Sequence, residues 1–113
     1  MLYSTMIIKA ILKEPHKEPE VIEIDNKFSN ISNFLESMVQ EVSLSSNIFI
    51  LADTDGYLHN LEPNFDFYIP NDDEPSMLVG KVLFVKDQGH DYMSLSDDDI
   101  DVVIDFLSKT NCY

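Results

Sequence analysis

The sequence predicts a small α+β domain: a mostly antiparallel sheet of four to six strands with two helices packed on it. Three observations lead there. The chain has 113 residues, 44% of them hydrophobic, which suits one two-layer core and is too little for two. Short runs rich in Ile, Val and Phe are punctuated by Pro, Gly and Asp, the pattern of strands and turns. Two stretches instead place apolar residues at helical spacing. No repeat or linker interrupts residues 1–113, so one domain is expected.

The elements follow in order. "MIIKAILK" (6–13) is the first strand. It has no basic residues before it and no small-residue cleavage site after it, so it is not expected to be a signal peptide. "EPHKEPE" makes a turn, since Pro15 and Pro19 bar regular pairing. "VIEI" (21–24) returns as a hairpin partner. Ile31, Phe34, Leu35 and Met38 then fall at i, i+3, i+4 and i+7. They form one face of a helix capped by Ser29 or Asn30 and ending near Val39 or Gln40. "EVSL" (41–44) offers a short strand. "IFILA" (48–52) reads as a buried strand, and "DTDG" (53–56) as a tight turn to a returning strand "YLHNL" (57–61). "EPNFDFYIPNDDEPS" (62–76) is expected to be a loop, with its rings pinned to the core. "MLVGKVLFVK" (77–86) is one strong strand in which Gly80 marks a bulge or a close backbone approach. "DQGHDYM" then turns the chain into the closing helix.

That helix carries five aspartates within "SLSDDDIDVVIDFLSK". Ser96 is the expected cap, accepting from the N–H of Asp99, and Asp97, Asp98 and Asp99 face the positive end of the helix dipole. Ile100, Val103, Ile104 and Leu107 form the inward stripe. At about 100° per residue, Asp97, Asp98, Asp101 and Asp105 fall on the outer side. Asp101 and Asp105 are a like-charge i, i+4 pair, mildly unfavourable for the helix. Val102 and Phe106 lie on a third face, which either widens the buried stripe or meets a second copy of the chain.

Charge limits the functions on offer. Twenty-one acids face seven lysines with no arginine, for a net charge of −14. Such a surface repels nucleic acids and anionic membranes, and it lacks the residue best shaped to grip phosphates. Direct nucleic-acid binding is therefore not expected. No apolar run approaches the roughly 18–20 residues of a membrane span. The single cysteine, Cys112, can form no internal disulfide, so a reducing cytoplasm is the simpler setting.

Five segments in order are "PHKEP", "EID", "DGYLHNLEPN", "VGKVLFV" and "SLSDDDID". Together, over about residues 7–107, they resemble the family filed as domain of unknown function 3846. The chain departs from that pattern in its "MLYSTM" extension, its lack of Arg and its weak middle strand. The family is found largely in phages, plasmids and the bacteria that carry them. The resemblance thus implies an accessory protein of mobile elements, and it implies no activity.

The remaining motifs point away from catalysis. "DTDG" lacks the third Asp of a calcium loop and places Gly56 too close to Asp55, so a plain turn is expected. His16, His59 and His90 are scattered, and no metal or other cofactor is expected. No nucleophile elbow, P-loop or G-x-G-x-x-G occurs, and Cys112 reads as a mobile terminal residue. No catalytic residue is assigned.

Two functional expectations follow. The first is a non-catalytic inhibitor of a host defence, one that binds the basic nucleic-acid cleft of a host protein through carboxylates standing where phosphates would sit. Its surface would comprise Asp97, Asp98, Asp101, Asp105 and the loop acids Asp72, Asp73 and Glu74. The alternative is a small-ligand binder that sequesters a nucleotide signal, at a contact between subunits. It would use a loop carrying Asn64 and the rings of Phe65, Phe67 and Tyr68, with Lys81 or Lys86 for a phosphate.

Overall fold

The computed structural model describes residues 7–26, 39–45, 47–53, 60–67, 76–87 and 92–113. Among them eight strands and one helix follow in order: β1 (Ile7–Lys13), β2 (Glu20–Asp25), β3 (Val39–Ser43), β4 (Ile48–Asp53), β5 (Pro63–Phe67), β6 (Ser76–Val79), β7 (Val82–Asp87), β8 (Tyr92–Met93) and α1 (Asp97–Ser108). The larger sheet runs β2-β1-β7-β4-β3 with β8 added beside β7, and β5 and β6 pair in a second, two-stranded sheet. All pairings are antiparallel. The α+β class with a mostly antiparallel sheet is therefore observed. The helix expected over 31–38 lies outside the described residues.

The central strands are buried on both faces because their sequences are apolar at both parities. Toward α1, Ile11 of β1, Ile48, Ile50 and Ala52 of β4 and Val82 and Phe84 of β7 meet Phe65, Leu78, Leu95, Val103 and Leu107. On the opposite face Ile8, Ala10, Leu12, Leu51, Leu83, Val85 and Tyr92 form a second cluster. Unbroken hydrophobic runs such as "IFILA" are what a doubly covered strand requires. The outer strand β2 keeps Glu20, Val21 and Glu23 exposed, and charge on an edge discourages unwanted pairing.

The β1–β2 hairpin was legible, and so was β3 in "EVSL", although it begins at Val39 where a helix end was expected. Four other expectations are corrected. First, 77–86 is not one strand. It breaks at Gly80, whose φ is +73°, and the chain passes there from the small sheet into the large one. The positive φ favours glycine, and a Cβ at this position, 2.6 Å from Leu61 Cδ1, would also push the end of that side chain aside.

Second, Asn60 and Leu61, the described end of the stretch expected to return along β4, belong to no strand; residues 54–59, with most of the expected turn and strand, lie outside the described residues. Over Phe49–Leu51 both edges of β4 are taken, one by β3 and the other by β7. The described end of that stretch is irregular, with Asn60 at φ +55°.

Third, 62–76 is not all loop, since β5 occupies Pro63–Phe67. Pro63 is tolerated because it opens the strand. The pairing slips between Pro63 and Phe65. This bulge lets both Asn64 and Phe65 turn inward, each 0% exposed, where a regular strand would alternate.

Fourth, the residues after α1 are not loose. Tyr113 N–H donates to Asn64 O at 2.9 Å, Asp66 N–H donates to Asn111 O at 3.1 Å, and His16 N–H donates to Tyr113 O at 2.8 Å. Cys112 thus bridges Phe65 in antiparallel fashion, and β5 has a neighbour on each side. The two-residue β8 was not foreseen. It turns the chain toward Lys9, whose backbone N–H donates to Ser94 Oγ at 2.9 Å and whose carbonyl accepts from Leu95 N–H at 3.0 Å.

Candidate functional site

The helix starts as its sequence dictates. Asp99 N–H donates to Ser96 Oγ at 3.1 Å, and Ser96 N–H donates back to Asp99 Oδ2 at 2.8 Å. This reciprocal cap satisfies two groups that a helix start would otherwise leave bare. Asp99 also pairs with Lys86 of β7 at 3.2 Å, on a part-buried surface. The Ser96 backbone N–H holds the Asp99 carboxyl below the usual carboxylate range, with the Ser96 hydroxyl and Lys86 adding to the effect against a partial desolvation. Asp99 is thus a structural acid, and Lys86 is committed to it.

The inward stripe differs in one member from expectation. Val103 and Leu107 are buried, and Ile100 and Phe106 pack beside them. Ile104 is 40% exposed. Phe106 replaces it because β5 brings Phe65 inside: Phe65, Phe84 and Phe106 form a triangle with ring centroids 6.0–6.2 Å apart. Each such pair contributes about 0.5–1.5 kcal/mol beyond its buried area.

Asp97, Asp98, Asp101 and Asp105 are all exposed. With the helix turning about 100° per residue, they occupy one stripe opposite Val103. Asp105 is met by Lys109 at 3.1 Å, one turn on in the favourable orientation. Among the described residues, no cation lies within 4 Å of Asp97, Asp98 or Asp101. Val102, 47% exposed, flanks the stripe on one side and Ile104 on the other. The acids Asp72, Asp73 and Glu74 lie outside the described residues.

The aromatic set is placed differently. Asn64 and Phe65 are fully enclosed. Phe67 ends β5 opposite Ser76. Lys81 is half-buried beside Gly80. Tyr68 lies outside the described residues. The Asn64 amide donates to Lys13 O at 2.7 Å and to Gly80 O at 2.8 Å, and its oxygen accepts from Lys13 Nζ at 3.0 Å. It thereby ties three segments together: the end of β1, the bulge of β5 and the corner at Gly80.

A cleft of about 720 Å³ opens beside this junction. The end of β1 supplies Lys13, and the turn after it His16, Lys17, Glu18 and Pro19. The end of α1 supplies Ile104, Leu107 and Ser108, and residues 110–113 close it. The bonds of His16 and Asp66 to the last residues hold that wall in place. His16 takes φ +63°, and its Nε2 meets Glu62 at 3.1 Å on an exposed surface, where such pairs contribute little. Sequence reading missed this site because its walls come from opposite ends of the chain. The one local signal was the concentration of Lys13, His16 and Lys17 in a chain otherwise poor in bases.

Among the described residues, no three His, Cys, Asp or Glu side chains converge to hold a metal ion, and no helix is long and apolar enough to cross a membrane.

Fold and surface define a small α+β domain with an acidic helix on one face of an antiparallel sheet. The chain belongs to the family described as Domain of unknown function (DUF3846), whose model matches residues 8–108. No curated protein and no solved structure matches it.

Proposed function

We propose that this protein works by binding another protein, without catalysis, and that the outer face of α1 meets a basic surface on the partner. The observation that carries this reading is the stripe of Asp97, Asp98, Asp101 and Asp105, exposed on a helix whose folding does not need all of them. Capping uses Ser96 and Asp99. Asp101 beside Asp105 works against the helix by about 0.2–0.5 kcal/mol. Carboxylates held on a rigid rod can stand where phosphates would sit, and a net charge of −14 steers the encounter with a cationic cleft.

The partner we favour is a nucleic-acid-binding protein of a bacterial host defence, met in the host cytoplasm. The supports are the charge, the absence of arginine and the likeness to a family of phages and plasmids. A pull-down from bacterial lysate with the wild type and with the D98N/D101N/D105N triple variant tests it. The expected result is a nucleic-acid-binding protein retained at low salt, released by high salt and by duplex DNA, and lost by the triple variant. Capture that ignores salt and survives the triple substitution would overturn the proposal.

A further inference from the structure

We propose that the cleft between the β1–β2 turn, the end of α1 and the last residues binds a small organic anion, whose carboxylate or phosphate pairs with the ammonium of Lys13. This goes beyond the acidic face and concerns a different surface.

Lys13 follows Ile11 by two positions and so points to the helix side of the sheet. It is 3% exposed and lines the cleft. Its Nζ donates to Glu14 O at 2.7 Å and to Asn64 Oδ1 at 3.0 Å. Both acceptors are neutral, and an ammonium carries three donors. Among the described residues, no carboxylate oxygen comes within 4 Å of Lys13 Nζ. Removing a charge from water without an opposite charge is costly, and two neutral acceptors do not repay it. In a chain of 21 acids and seven lysines, an acid to pair with it would be easy to supply. The other two bases of the cleft have one each: Lys17 meets Glu14 at 3.2 Å and His16 meets Glu62. Among the described residues, Lys13 alone of the three has no acidic partner.

The cleft is open on one side, and its volume lies within the about 300–1,000 Å³ of small-molecule sites. Ile104, Pro19 and Leu107 offer an apolar wall, and Tyr113, 41% exposed, offers a ring. The exposed Ile104 thereby gains a use that folding does not give it. The ligand class is an anionic head on a compact apolar body: an aromatic or aliphatic carboxylate, or a phosphate monoester.

Titration of the isotope-labelled protein with benzoate, phenyl phosphate and inorganic phosphate, against sodium chloride at matched ionic strength, tests this by NMR. The expected result is saturable shifts confined to residues 13–19 and 104–113. Benzoate and phenyl phosphate together separate a carboxylate site from a phosphate site, and inorganic phosphate shows whether the apolar body is needed. Lys13→Met weakens binding by about tenfold or more, the scale of a lost charge-assisted contact. Ile104→Glu, at an exposed position that does not threaten folding, also weakens it, whereas Asp101→Asn does not. The proposal is overturned by the absence of a saturable shift with all three anions, by shifts centred elsewhere, or by unchanged affinity in Ile104→Glu. The last arm holds even where Lys13→Met fails to fold.

Discussion

The large sheet and the small one are built on opposite principles. Between β1, β4 and β7 the contacts are apolar on both faces, and stability comes from area removed from water. Where β5, β6 and the last residues meet, the centre is polar: an enclosed amide, an enclosed ammonium and two backbone carbonyls. The first region tolerates local error, because any well-sized apolar side chain contributes. The second does not, because loss of the Asn64 amide takes a donor from two buried carbonyls and leaves Lys13 Nζ with Glu14 O alone.

The sharpest way to break this contrast is to cut each centre. Asn64→Leu, nearly isosteric, is expected to destabilise the protein by about 3–5 kcal/mol, since it strands two carbonyls and a charge. Phe84→Ala in the large sheet should cost about the same, 3–5 kcal/mol, through lost transfer energy and a cavity. Denaturant unfolding measures both. A much smaller loss for Asn64→Leu would mean that the polar centre is not a structural hub. Gly80→Ala comes next, at about 1–2 kcal/mol, because it forces a positive φ and presses on Leu61. A free side chain at Leu61 would relieve part of that, so adding Leu61→Ala should recover some of the loss.

Much of the large sheet was legible in the sequence, and little of the small one. The β1–β2 hairpin, β4 and the Ser96 cap declare themselves through local pattern. The break at Gly80 does not, because apolar residues continue on either side of it and the reason for the glycine, Leu61, lies nineteen residues earlier. Pro63 and the nearby acids made β5 resemble a loop. Its pairing with the last residues and the bond between Lys13 and Asn64, 51 positions apart, have no local signature. The outer acids of α1 were placed correctly by helical period alone, whereas the choice of Phe106 over Ile104 required knowing that Phe65 points inward.

Smaller effects sharpen the comparison at the helix. Ser96→Ala should cost about 1 kcal/mol by thermal unfolding. The folded Asp99 carboxyl is held below its ordinary value of 3.8. Its contribution is therefore fully present above about pH 4 and is lost as pH falls through the lower folded value. The stability gap between wild type and Asp99→Asn should accordingly be constant near neutrality and shrink in acid; a gap that widened on acidification would contradict the assignment. Asp101→Asn, on the outer stripe, should change stability by less than about 0.5 kcal/mol. A large loss there would mean that the acid serves the fold and is not free for a partner.

The strand order also governs how the chain can assemble. β7 lies between β1 and β4, and Ile11 faces Phe84 across a loop of about seventy residues. The hairpins β1–β2 and β3–β4 can each form early, but each then carries a bare inner edge that only a late-arriving strand can fill. Closure of so long a loop slows folding, and during the wait two sticky edges are open to pairing with other molecules. Mutual repulsion between chains of net charge −14 opposes such pairing during that interval, before the central strand is in place.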